Sequence, residues 1–143
     1  MRYKMIISYD GSFFHGFQRQ KGYSSVQETL EQVLTSILKT PVVIKGAGRT
    51  DAGVHAVGQV VHFDSDQLVP EKNLKRIINK KVYPHIYVDE VKHVDESFHS
   101  RISSTKKEYR YFISIGKFNP FEANYRHFFH NRINIEKIKQ AMG

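Results

Sequence analysis

The stretch Ser25–Leu38, with the sequence SVQETLEQVLTSIL, is the strongest fold signal in the chain. Ser25 followed three residues later by Glu28 forms a capping box, which marks the first turn of a helix. Apolar residues then recur at the spacing of one helical face, namely Val26, Leu30, Val33, Leu34, Ile37 and Leu38. The pattern predicts an amphipathic helix with one buried side.

Segments with strand character surround this helix. The predicted strands are Arg2–Tyr9, Val42–Lys45, Gln59–Phe63, Ile86–Val94, Lys106–Ile115 and Tyr125–His130. Further helices are predicted to start at Pro70-Glu71 and at Asn134. This order favours an α+β fold, with a ferredoxin-like or RNA-recognition-like antiparallel sheet and helices on one face. The other face would then be left for a partner, RNA or another domain.

Composition narrows the functional classes. The 143 residues predict a single domain, and the absence of cysteine excludes disulfides and thiolate metal sites. No apolar run approaches the ~20 residues that cross a bilayer, and the first residues do not resemble a signal peptide. The eight histidines show no metal-ligand spacing, so we expect no metal site.

Charge points to a polyanionic partner. The chain carries 22 Lys and Arg against 14 Asp and Glu, a net charge of +8. Basic residues are interleaved with aromatic ones in Arg101–Phe112 and in Tyr125–Phe129. Because cations bind phosphates and aromatic faces stack on unpaired bases, single-stranded or locally opened RNA is the favoured partner. Charge that serves only solubility is the alternative.

The stretch Gly46–Ala56, GAGRTDAGVHA, contains the candidate chemistry. Asp51 lies two residues after Arg49 in a loop of small residues that lets a ligand approach closely. A neighbouring guanidinium favours the ionised carboxylate, which suits a nucleophile or a charge stabiliser. The alternative is an ordinary turn with a surface ion pair. A glycosidase-like hydrolysis would need a second acid, for which Asp10 is the best candidate.

A second candidate surface lies near the end of the chain. Tyr109 and Tyr111 alternate along the predicted strand Lys106–Ile115 and would therefore point to the same face. Arg101, a few residues upstream, could reach that face as well. The alternative is that these tyrosines pack in the core.

Seven segments, in this order and spacing, resemble the tRNA pseudouridine synthase A family. They are Tyr9–Gly11, Gly16–Gln20, Ser25–Glu28, Gly48–His55, Gly58–Phe63, Phe98–Arg101 and Tyr109–Tyr111. The Arg-Thr-Asp-Ala-Gly element of the fourth segment is the most specific of them. Together the segments extend the resemblance over essentially the whole chain.

The resemblance implies the N-terminal half of the pseudouridine synthase fold. It also implies an isomerase, an intramolecular transferase that converts uridines at positions 38, 39 and 40 of the tRNA anticodon stem-loop to pseudouridine. In the family pattern Asp51 is the nucleophile, Arg49 orients and charges it, and Tyr109 and Arg101 bind the substrate. Neither a cofactor nor a metal is implied. The full-length enzyme would be a homodimer in the cytoplasm, with no membrane partner.

Family members are longer than this chain and carry a second half of related fold. We therefore expect residues 1–130 to form the N-terminal catalytic-loop domain, and residues 131–143 to begin the helix that leads to the second half. On this interpretation the chain is an N-terminal fragment that is inactive by itself. Two other functions stay open, a noncatalytic RNA-binding module and a hydrolase of nucleosides.

Overall fold

The computed structural model describes residues 1–103, 106, 108–114, 117–128 and 135–142. The chain divides into two compact units, Met1–Lys106 and Lys107–Gly143. This division follows spatial contacts within the chain, whereas the predicted domains 1–130 and 131–143 follow the resemblance, so the predicted boundary stays a prediction.

The first unit contains a four-stranded sheet with the order β2-β3-β1-β4, in which every neighbouring pair is antiparallel. Its strands are β1 (Arg2–Tyr9), β2 (Lys45–Gly46), β3 (Ala56–Asp64) and β4 (Ile86–Val94). Its helices are α1 (Val26–Leu38) and α2 (Glu71–Val82). The order of strands and helices confirms the predicted α+β fold class.

The core lies between the sheet and the two helices. Every second residue of β1 is buried, as in Tyr3, Met5 and Ile7, and these side chains share one apolar cluster with α1 and α2. The buried stripe of α1 is confirmed, because Val26, Leu30, Leu34 and Leu38 are buried and Val33 and Ile37 are partly buried against the cluster. The Ser25 hydroxyl accepts a hydrogen bond from the Glu28 N–H (3.1 Å), as the capping box predicts.

The segment before the Asp51 loop differs from its prediction. The predicted strand Val42–Lys45 is wrong in its extent, since β2 comprises Lys45 and Gly46 and residues 42–44 are not in a strand. Two side chains of α1 hydrogen-bond the backbone N–H and carbonyl of Ile44. In a longer β2, these backbone groups would be available for pairing with another strand. Glu31 accepts from the Ile44 N–H (2.9 Å) and Gln27 donates to the Ile44 carbonyl (2.8 Å). Helix α1 thus holds this edge of the sheet.

Strand β4 forms the opposite edge of the sheet and has its predicted bounds. Side chains of α2 hydrogen-bond its backbone, as those of α1 do at the other edge. The Asn79 side chain accepts from the Val88 N–H (2.7 Å) and donates to the Val88 carbonyl (3.0 Å). Glu71 accepts from the His93 N–H (2.9 Å). Bound backbone groups are unavailable for pairing with another strand.

The second unit contains β5 (Ile113–Ser114), parallel to β6 (His127–Phe128), and α3 (Ile135–Met142). The predicted strand Lys106–Ile115 is wrong in its extent, because residues 108–112 are not in a strand and, among the described residues, β6 pairs with Ile113 and Ser114 alone. Residues 107 and 115 of that prediction lie outside the described residues. Tyr109 and Tyr111 lie in irregular backbone, so strand alternation does not orient them. Asn134, the predicted helix cap, and residues 129–130 of the predicted last strand lie outside the described residues.

Candidate active site

The candidate loop connects β2 to β3 and carries Asp51. Its first turn is tied to β3, because the Ala47 N–H donates to the Val60 carbonyl (2.8 Å). The Gln59 side-chain amide also donates to the Gly48 carbonyl (2.6 Å). The loop therefore leaves the sheet in a defined direction.

Thr50, directly before the candidate nucleophile, is bound on both its side chain and its backbone. Its hydroxyl lies 2.7 Å from the Tyr9 hydroxyl, and its carbonyl accepts from the Phe17 N–H (3.1 Å). Burial raises the pKa of the Tyr9 phenol, against a smaller lowering by the hydrogen bond to Thr50. The phenol is therefore neutral at physiological pH and bonds Thr50 as a neutral hydroxyl.

The segment Gly11–Phe17, which we call the cradle, lies directly against the loop. A Cβ atom at Gly11 would lie 1.9 Å from the Val54 carbonyl oxygen, and one at Gly16 (φ +86°) would lie 2.8 Å from the Thr50 oxygen. Only glycine permits these approaches. Sequence reasoning missed the cradle. The signal that could have found it is the pair of glycines flanking an aromatic connection.

Asp51 itself is exposed. Its backbone carbonyl accepts from the Val54 N–H (3.1 Å), which closes the turn. In the part of the chain that the structure describes, its carboxylate has no hydrogen bond and no ion pair. Arg49 is exposed too, and among the described residues no ion pair joins it to Asp51. The role predicted for Arg49 stays a prediction.

Asp10, the candidate second acid, is engaged elsewhere. Its carboxylate lies 3.1 Å from His55 Nδ1 and accepts from the Ser12 N–H (3.1 Å) and hydroxyl (2.5 Å). His55 Nδ1 also lies 2.9 Å from the Gly11 backbone nitrogen, and this contact joins the far end of the Asp51 loop to the cradle. These contacts give Asp10 a structural role.

Arg101 follows a buried anchor, Ser100. The Ser100 N–H donates to His62 Nδ1 (3.1 Å), and the Ser100 hydroxyl donates to the Lys45 carbonyl (3.0 Å). Burial, and then the positive charges of Arg2 and His99, lower the pKa of His62 to about 4. A neutral imidazole can therefore accept the Ser100 hydrogen bond at physiological pH. The Arg101 side chain is exposed.

Tyr109 belongs to the second unit, where its ring is 71% exposed. Its predicted role in binding the substrate stays a prediction. Among the described residues, no group of three or more histidine or acidic side chains is arranged to hold a metal ion. No helix in the described part of the chain is both long and apolar enough to span a membrane.

Comparison with known proteins identifies a family model and several relatives that match this chain. The family model described as tRNA pseudouridine synthase matches residues 5–102, a range that includes the cradle and the Asp51 loop. The tRNA pseudouridine synthase A of Limosilactobacillus fermentum is 41% identical over 144 residues, covering 98% of this chain and 56% of the relative. That of Bacillus subtilis is 39% identical over 144 residues, covering 99% of this chain and 58% of the relative.

The chain thus spans somewhat more than half the length of these relatives. The family model covers more than half of the chain, and the relatives align with nearly all of it. The family predicted from the motifs is confirmed, and this chain belongs to the tRNA pseudouridine synthase family.

Proposed function

We propose that the full-length protein isomerises uridine to pseudouridine in tRNA, with Asp51 as the nucleophile. The observation that carries the proposal is the contrast within one loop. The backbone around Asp51 is bound at Gly48, Thr50 and Val54, whereas the carboxylate is exposed and has no partner among the described residues. A nucleophile held in position but left available to a ligand needs this combination.

The reaction breaks the bond between ribose C1′ and uracil N1 and forms one between C1′ and uracil C5. The C5 proton is lost and N1 gains a proton, so atoms balance and no oxidant or reductant is needed. The target nucleotide leaves the base stack to reach the loop. Asp51 then adds either to C6 of the base or to C1′ of the sugar, and either adduct releases the carboxylate unchanged.

The resemblance to the family also assigns roles in the proposed reaction to Arg49, Arg101 and Tyr109. Bound RNA removes water from the Asp51 carboxylate and brings phosphate charge near it, and both effects oppose ionisation. Arg49, two residues away in the same loop, offsets them with its positive charge. Arg101 binds a phosphate of the substrate, and Tyr109 stacks on the displaced base.

The proposed substrate is the anticodon stem-loop, at positions 38, 39 and 40, and the proposed assembly is a cytoplasmic homodimer. The family, the names of the relatives and the net charge of +8 support tRNA as the partner. Limited digestion of modified tRNA followed by mass spectrometry would locate the product nucleotides. Pseudouridine found only outside the stem-loop would contradict the proposed substrate.

The experiment compares Asp51→Asn with Asp66→Asn in the full-length protein. Both acids are exposed, and Asp66 lies in the connection between β3 and α2, so it is a matched control for loss of one surface charge. Release of tritium from tRNA labelled at uridine C5 measures turnover. We expect background turnover for Asp51→Asn, wild-type turnover for Asp66→Asn, and near wild-type affinity for tRNA in both.

Measurable turnover by Asp51→Asn would refute the nucleophile. If wild-type protein bound tRNA without releasing tritium, the noncatalytic RNA-binding alternative would be correct. Release of free uracil instead of pseudouridine would identify a hydrolase.

A further inference from the structure

Helix α2 presents a row of cations beside the edge strand β4. Asn79 defines the direction of this face, because its side chain bonds both backbone groups of Val88. At about 100° per residue, four basic residues lie within about 100° of Asn79 around the helix axis. They are Lys72, Lys75, Arg76 and Lys80. Lys81 lies about 160° from Asn79, on another side of the helix.

The charge of this face is not neutralised within the first unit. In the part of the chain that the structure describes, none of the four side chains forms an ion pair with a carboxylate. Glu71 is the one acid in the sequence of α2, and it accepts from the His93 backbone. Of the acids on β4, Asp89 accepts from the Ser8 hydroxyl and Glu90 pairs with Lys92. A run of cations without acidic partners favours a polyanion.

One exposed aromatic ring adjoins the cations, and another lies at the start of the neighbouring strand β4. The ammonium group of Lys75 lies 5.8 Å from the centre of the Tyr87 ring. Phe13, in the cradle, stacks on His85 with ring centres 3.6 Å apart and planes inclined by 22°. Phe13 and Tyr87 are each 52% exposed, so the outer surfaces of both rings are accessible. Cations beside open rings are typical of surfaces that bind unpaired nucleotides.

These rings lie at the same end of the sheet as the Asp51 loop. Tyr9, at the end of β1, is paired with Ile86 on one side and with Ala56 on the other. Ile86 follows His85, and Ala56 follows the Asp51 loop. The Asp10 N–H donates to the His85 carbonyl (2.9 Å), which fixes this junction. An RNA strand that reaches Asp51 can therefore continue over Phe13 and His85 towards α2.

We propose that Lys72, Lys75, Arg76 and Lys80, together with the rings of Phe13, His85 and Tyr87, bind the tRNA strand that flanks the target nucleotide. The cations contact phosphates, and the rings stack on unpaired bases. The proposal rests on tRNA being the substrate of the Asp51 site. It assigns a second contact surface, outside the catalytic loop, that contributes affinity and not chemistry.

The test compares two double variants of the full-length protein that each remove two positive charges. K72Q/K75Q alters the proposed surface, and K21Q/K81Q alters exposed lysines elsewhere in the first unit. Filter binding of unmodified tRNA over a salt series gives the slope of log affinity against log salt. Each phosphate contact contributes roughly 0.7 to 0.9 to this slope. We expect K72Q/K75Q to make it shallower by about 1.5 and K21Q/K81Q to change it by less than half as much.

Turnover separates this surface from the catalytic site. K72Q/K75Q should raise KM for tRNA and leave kcat at saturating tRNA unchanged, since neither residue belongs to the Asp51 loop. Phe13→Ala should lower the affinity for tRNA at least about fivefold, the loss expected for one stacked base. Binding measured in the Asp51→Asn background gives the same comparison without turnover, so this test does not depend on Asp51 being the nucleophile.

Equal slopes for the two double variants would overturn the proposal, because the charge would then act as a diffuse field. A fall in kcat without a change in KM for K72Q/K75Q would overturn it too. Unchanged affinity in Phe13→Ala would remove the rings from the surface.

Discussion

Glu31 and Asp51 are both acids of the first unit, and their surroundings are opposite. The Glu31 side chain is 7% exposed, accepts from the Ile44 N–H and lies 3.1 Å from the Arg19 guanidinium. Asp51 is exposed, and its carboxylate has no partner in the part of the chain that the structure describes. One carboxylate joins segments of the fold, whereas the other is left available to a ligand. An acid's contribution to stability or to chemistry thus depends on its surroundings.

The largest effect on stability is expected at Glu31. Glu31→Ala removes the acceptor of a buried N–H and the partner of Arg19, and should lower the free energy of unfolding by about 2–4 kcal/mol. Asp51→Ala, the matched exposed acid, should change it by less than about 0.5 kcal/mol. Urea unfolding of both variants measures the difference. Equal losses of stability would show that Asp51 also supports the fold, and the contrast between the two acids would be lost.

A second comparison asks whether the backbone of the Asp51 loop must be held in place. Gly16 (φ +86°) lies against Thr50, whereas Gly22 (φ +84°) has nothing within 4 Å of the position of a Cβ atom. Alanine at either position would have to adopt a left-handed backbone conformation, which costs about 1–2 kcal/mol. Only at Gly16 must the loop also move away from the added methyl group.

We therefore expect Gly22→Ala to lose stability and keep its kcat, and Gly16→Ala to lose turnover by about 10- to 100-fold as well. Single-turnover rates with saturating tRNA, measured beside thermal unfolding, separate the two effects. If both variants had the same rate, the cradle would not position the loop.

These comparisons show which features follow from sequence pattern. Strand β1 and the stripe of α1 are predictable because alternation and helical spacing record which side chains face the core. The ends of β2 are not predictable in this way, since Gln27 and Glu31 bind the backbone of Ile44 from a helix that precedes it. Lys106–Ile115 has strand composition, but a strand also needs a partner, and in the described part of the chain β6 pairs with Ile113 and Ser114 alone.

In the candidate site too, some features follow from local sequence and others depend on the fold. The small residues around Asp51 predict an accessible acid, and the structure places it on the surface. The contacts of Gly11 and Gly16 with the loop are approaches between backbone segments distant in sequence, and no local spacing records them. The residue types indicate where chemistry can occur, whereas the atoms that hold the site together are found only in the fold.

An effect that depends on pH is expected at His62, a buried group that anchors Ser100 much as Glu31 anchors Ile44. Its pKa of about 4 in the folded chain lies below the ordinary value of 6.5, so the unfolded chain binds the proton more readily between these values. Its contribution to stability is therefore complete above pH 6.5 and is lost as the pH falls towards 4.

The test uses His62→Asn, which keeps an acceptor for the Ser100 N–H but cannot titrate in this range. The difference in unfolding free energy between wild type and His62→Asn should shift in favour of the variant from pH 7 to pH 4.5. A difference that stayed constant over this interval would mean that the imidazole titrates alike in the folded and unfolded chains, and that burial of His62 carries no pH-dependent cost.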